Sequence, residues 1–124
     1  MTPPASLPKD FYVHLFHIII VGGFLLYIGI VKTNMPLFMY KVIFAVGILI
    51  VLLHGYKAIV KYGTPKSYLW VNLFHIFIVA PVLLIIGWNG VKTPYYYFQF
   101  DLMLAFASIG YHGYFMVKEL MPLM

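Results

Sequence analysis

Five histidines are the residues of this sequence best suited to chemistry, and four of them recur at a fixed distance. His17 and His75 lie 58 residues apart, and so do His54 and His112. Neutral imidazole ligates zinc, copper and iron, and it also takes up and passes on protons near neutral pH. Four imidazoles on facing helices can hold one ion, so His17, His54, His75 and His112 form a candidate site for a transition metal. The same four are the candidate cofactor-binding set for haem b, two facing rings taking the axial positions. In that reading Gly22, Gly23, Gly55 or Gly113 gives the macrocycle room, and nearby lysines meet its propionates. A third chemistry is an ion path. Asp101, Ser108 and His112 fall at i, i+7 and i+11 on one helix face, suited to protons or small cations. The plainest use is packing, with the imidazoles hydrogen-bonding across helices together with Tyr56, Tyr114 and Asn72. Such contacts contribute about 0.6 kcal/mol each in membranes. No carboxylate is expected beside the histidines, because Asp10 and Glu119 are expected in water, and metal-bound histidine ordinarily leans on a carboxylate or carbonyl.

The elements that must carry these residues follow from composition. Of 124 residues, 64% are hydrophobic and 9% charged, against about 25% charged in soluble proteins. A soluble fold of this size cannot hide that much apolar surface. Four spans of about 20 residues can, and four apolar stretches are present, at 11–30, 37–56, 69–88 and 95–117. The first is too long for a signal-peptide core and lacks a small-residue cleavage site, so it is expected to be retained. The punctuation is Lys32-Thr33-Asn34-Met35-Pro36, then residues 61–67, then Asn89-Gly90-Val91-Lys92-Thr93-Pro94. Thr64-Pro65 and Thr93-Pro94 read as helix starts, with Thr capping and Pro in the first turn.

The chain is an internal repeat. Over residues 13–30 shifted by 58, 11 of 18 positions are identical, and His54-Gly55-Tyr56 falls on His112-Gly113-Tyr114. A two-residue insertion around Asn89 and Gly90, compensated before Pro94, is expected between those matches. Each repeat holds two spans, so both run the same way through the bilayer and are related by an axis along the membrane normal. Span direction then puts the start of the first and third spans level with the end of the second and fourth. The four histidines share one layer within roughly 10 Å of the termini side, with His14 and Asn72 a turn nearer water. Lys9, Lys57, Lys61, Lys66 and Lys118 lie on that side, Lys32, Lys41 and Lys92 towards the other, which places both termini in the cytoplasm.

Other residues carry narrower expectations. Asp101 is expected to pair with Lys41, offsetting two isolated charges. Gly22-Gly23 aligns with Ala80-Pro81, predicting a kink at matching depth in both helices. Gly29 and Gly87 read as close-packing or span-end positions. The net charge of +5 comes from lysine alone, with no Arg, which excludes a nucleic-acid groove. With no Cys there is no disulfide, thiolate metal site or palmitoylation. A phosphate-cradling loop, a His-Glu-x-x-His pair, paired carboxylates and a nucleophile elbow are all lacking, which argues against a hydrolase or transferase.

Leu15-Phe16-His17 with its following Ile/Val run, Gly29, and His54-Gly55-Tyr56 resemble small uncharacterised membrane proteins with a duplicated His-containing hairpin, found among large DNA viruses of algae and protists. The resemblance spans nearly the whole chain and implies a virion or host-membrane component. The resulting expectation is an all-α integral membrane protein, one domain over residues 1–124 with repeats at about 8–61 and 65–119. Two tandem hairpins form an up-down four-helix bundle with pseudo-twofold symmetry. Its function is read first as non-enzymatic, a structural or assembly component in contact with lipid and with further copies or a larger assembly. The alternative is a haem- or metal-binding membrane protein, and a further one a proton or cation conduit.

Overall fold

The computed structural model describes residues 6–64 and 68–123, and among them the chain is all-helical. Four helices carry it: α1 (Phe11–Asn34), α2 (Leu37–Val60), α3 (Leu69–Lys92) and α4 (Tyr95–Leu120). The four starts fall where the apolar stretches begin. A single 58-residue shift maps α1 onto α3 and the start of α2 onto that of α4, so no insertion interrupts the repeat.

The joints show why. α1 and α3 each end in a 3-10 turn, Lys32–Asn34 and Gly90–Lys92, and Pro36 and Pro94 then stand immediately before the next helix. Lys32 (φ 57°, ψ −132°) and Gly90 (φ 58°, ψ −131°) share a conformation that only glycine adopts without strain. The two sequences differ there while the backbone does not. Thr93 does not cap α4: its hydroxyl donates backwards to the carbonyls of Gly90 (2.7 Å) and Ile86 (3.3 Å). Helix α3 begins at Leu69, after Tyr68, rather than at Thr64-Pro65, and Pro65 itself lies outside the described residues.

The expected kinks take the form of π-helical turns at His17–Val21 and His75–Val79. Pro81 has no N–H to give, so the ladder of α3 loses a bond, and the chain widens just upstream until Ala80 N–H reaches the His75 carbonyl. In α1, Gly22 N–H makes the same reach to His17.

Helices pair across the repeats. α1 packs along α4 and α2 along α3, with a lesser contact between α3 and α4, whereas α1 and α2 do not pack along their length. Matching glycines set both crossings. A Cβ on Gly29 would lie 3.0 Å from Leu102 Cβ, and one on Gly87 2.7 Å from the Phe44 backbone nitrogen. Phe44 and Leu102 are repeat equivalents. The core of Leu25, Ile28, Ile43, Leu83, Ile86 and Phe98 fills the half away from the histidines.

The outer surface is apolar, with Leu37, Ile59, Phe77, Trp88 and Phe106 exposed. α1, α2 and α3 are long and apolar enough to cross a membrane. The fourth stretch, expected to be equally so, is not in that class: Gln99, Asp101, Ser108, His112, Lys118 and Glu119 dilute α4.

Candidate functional site: an imidazole layer above an apolar chamber

The π turns begin at the histidines themselves. His17 Nδ1 lies 2.7 Å from the Val13 carbonyl and His75 Nδ1 2.7 Å from that of Val71. A carbonyl only accepts, so both rings carry their proton on Nδ1 and leave a lone pair on Nε2, turned away from their own helix. His54 Nδ1 donates to Asn72 Oδ1 at 2.9 Å, giving the same tautomer. His14 Nε2 stands 3.3 Å from Glu119 Oε1 and donates to it; neutral His14 then accepts at Nδ1 from His112 Nδ1, 2.9 Å away. All four repeated histidines therefore present a bare Nε2.

Four rings do share one layer. His17 stacks on His112 (centroids 4.3 Å, planes 23° apart) and His75 on His54 (4.0 Å, 9°). The two stacks meet through His17 and His75, with centroids 6.4 Å apart and planes crossed at 81°. Around the layer lies a chamber of about 870 Å³ whose walls come from all four helices, from Tyr12 and Trp70 on the termini side to Val46 and Leu83. Val21, Phe24, Leu25, Val46, Leu83 and Leu104 make it apolar, while Ser108, Tyr111, Lys57 and the four imidazoles give its polar head. Ile20, Leu49 and Leu53 line it yet remain 56%, 52% and 51% exposed, so the chamber opens sideways between α1 and α2.

Several expectations are corrected. His14 and Asn72, a turn nearer the termini than the layer, are buried, and each is bonded to a repeated histidine. Glu119 is not free in water: the end of α4 lies beside the start of α1, and its carboxylate reaches His14. Tyr56 and Tyr114 point outward, and Tyr111 lines the chamber instead. The glycines do not make the room. Gly22 faces Ile109 at 2.7 Å in the α1–α4 crossing, and Gly23, Gly55 and Gly113 face open space. The single four-histidine ion site does not form, because the rings pair face to face; among the described residues no three ligating side chains gather about one point.

Asp101 is 0% exposed, and neither of its oxygens has a hydrogen-bond partner among the described residues. The expected pair with Lys41 is not made: Lys41 is exposed on α2, which does not pack along α4, whereas Asp101 faces Gly29 of α1. Ser108 and His112 line the chamber and Asp101 does not, so the three do not form one path. Ser108 instead donates to the His17 carbonyl at 3.4 Å, the same group that closes the π turn. Sequence reasoning missed Tyr111, and Lys57 as the lysine at the chamber; both lie one turn or less from a repeated histidine, which was the available signal.

Comparison with family models, curated proteins and solved structures finds no match to the chain.

Proposed function

We propose that this chain is an integral membrane protein that holds a cofactor in the chamber around its imidazole layer. The four helices cross as an up-down bundle of two tandem hairpins about a pseudo-twofold axis, with both termini on the cytoplasmic, lysine-richer side. α4 crosses with the others because Asp101 and His112 are buried inside the bundle instead of facing lipid. The observation that carries the reading is the conjunction of four bare Nε2 atoms with a largely apolar space of about 870 Å³ that the same four imidazoles line. Bound small molecules occupy cavities of about 300–1,000 Å³, apolar with a few placed polar groups. π turns recur at functional sites, and the carbonyl partners of His17 and His75 orient ligating imidazoles in the way metal centres require.

Native mass spectrometry of the detergent-purified protein tests this. A retained small molecule, or an added apolar one, is expected on the wild type and lost in Val46→Trp, which fills the chamber. Equal occupancy in both would sink the reading. Insertion is tested separately, since the chain has no Cys: Thr64→Cys and Lys32→Cys should label from opposite sides of intact membranes.

The two interhelical bonds, His14 to His112 and His54 to Asn72, favour a second reading, in which the layer fixes helix packing in a structural or assembly component. There, histidine substitutions lower stability and Val46→Trp displaces nothing.

A further inference from the structure

We infer that the chamber's occupant is a haem, held axially by Nε2 of His17 and Nε2 of His75. The inference rests on the cofactor reading above and narrows it to one chemical class and two ligands. The layer offers lone pairs and no N–H at Nε2, so it suits an electrophilic centre. A bare ion needs three or four protein donors around it, and the stacked pairs do not supply them. A porphyrin brings four in-plane donors of its own and asks the protein for two.

His17 and His75 are the pair placed for that role. They sit at equivalent positions of the two repeats, on α1 and α3, so the pseudo-twofold axis that relates the halves runs between them. Two imidazoles bonded to one metal from opposite sides have ligating nitrogens about 4 Å apart, twice the metal–imidazole bond of about 2.0–2.1 Å, and their ring centres lie somewhat further apart. The observed 6.4 Å between ring centres is of that size. Each ring is fixed twice, by its Nδ1 bond to the carbonyl one turn back and by the imidazole stacked on its face, His112 on His17 and His54 on His75. His54 and His112 are thereby positioning residues.

The rest of the chamber matches the remainder of the molecule. Its apolar walls suit the macrocycle, and the termini-side head holds Lys57, a cation for the propionates, beside Tyr111 and Ser108. The sideways opening between α1 and α2 admits a flat apolar ligand from the lipid side.

The test is titration of full-length protein in detergent micelles with hemin and, separately, with metal-free protoporphyrin IX. Hemin is expected to bind one per chain with a low-spin, six-coordinate spectrum, and with the strongly anisotropic ferric EPR signal of crossed imidazole planes. His17→Ala and His75→Ala are each expected to turn that spectrum high-spin and to weaken binding at least tenfold, while still taking up protoporphyrin, which shows that the variant has folded. His17→Met should restore a six-coordinate spectrum with a shifted band. His54→Ala and His112→Ala should stay low-spin. Protoporphyrin bound in the chamber with hemin remaining high-spin, or low-spin hemin indifferent to both His17→Ala and His75→Ala, overturns the haem inference and leaves the cofactor reading standing. Neither porphyrin bound overturns the haem and counts equally against the chamber.

Discussion

The two flanks of the imidazole layer are repeat copies of one another, and they differ in the partner that holds His54 and His112. On the α2–α3 flank, His54 is held by an amide, Asn72. On the α1–α4 flank, the equivalent contact is made by an ionisable ring, His14, which also touches Glu119, a carboxylate 31% exposed near the end of α4. Asn72 receives the His54 proton on its Oδ1, whereas His14 takes that of His112 on Nδ1 and donates from Nε2 to Glu119. The α1–α4 flank thus ends in a carboxylate and the α2–α3 flank in an amide, because positions 14 and 72 differ and Glu119 stands where the first repeat has Lys61.

The largest expected effect sharpens the comparison at the helix crossings. At Gly87 a Cβ meets the Phe44 backbone, which cannot move aside as a side chain can, whereas at Gly29 it meets the Leu102 side chain. Gly87→Ala should cost about 1–3 kcal/mol and Gly29→Ala less, read as thermal unfolding in micelles; equal losses would show the two crossings to be equally tight. Next, His112→Ala leaves the buried His14 Nδ1 without its partner, at about 1–3 kcal/mol. His54→Ala should cost less, because Asn72 has a further interaction. Lys32→Gly should stabilise by about 1 kcal/mol, by relieving a backbone that glycine already holds at position 90; no gain would mean that Lys32 is compensated locally. The smallest effect on stability, under about 1 kcal/mol, is expected for His14→Asn, which copies the other flank. Its check is nitrogen NMR, which should show His112 holding its proton on Nδ1 in both proteins, because the Asn oxygen accepts where His14 Nδ1 does.

The layer itself was legible in the sequence because it needs only span direction and a 58-residue period, both of which sequence fixes. Helix starts were legible for a similar reason, since Pro36 and Pro94 halt one helix and open the next. The partnership of helices was not. Every helix is apolar on most of its circumference, so nothing in the pattern distinguishes a face for α2 from a face for α4 on α1, and the glycine contacts that decide it are tertiary. From that one gap two of the other misses follow. Glu119 and His14 meet only because α4 lies on α1, and Asp101 is separated from Lys41 because α4 does not lie on α2. The expected insertion arose from comparing residue types at Lys32 and Gly90, where the conserved quantity is a dihedral angle.

The pairing of α1 with α4 and of α2 with α3 has an assembly consequence. A lone hairpin of this design has no interior, because its two helices do not embrace each other; each seeks the opposite member of another hairpin. The α1–α4 and α2–α3 contacts all run between the two halves of the chain. Such a molecule is a fused homodimer in architecture, and during synthesis it stays open until its last helix arrives.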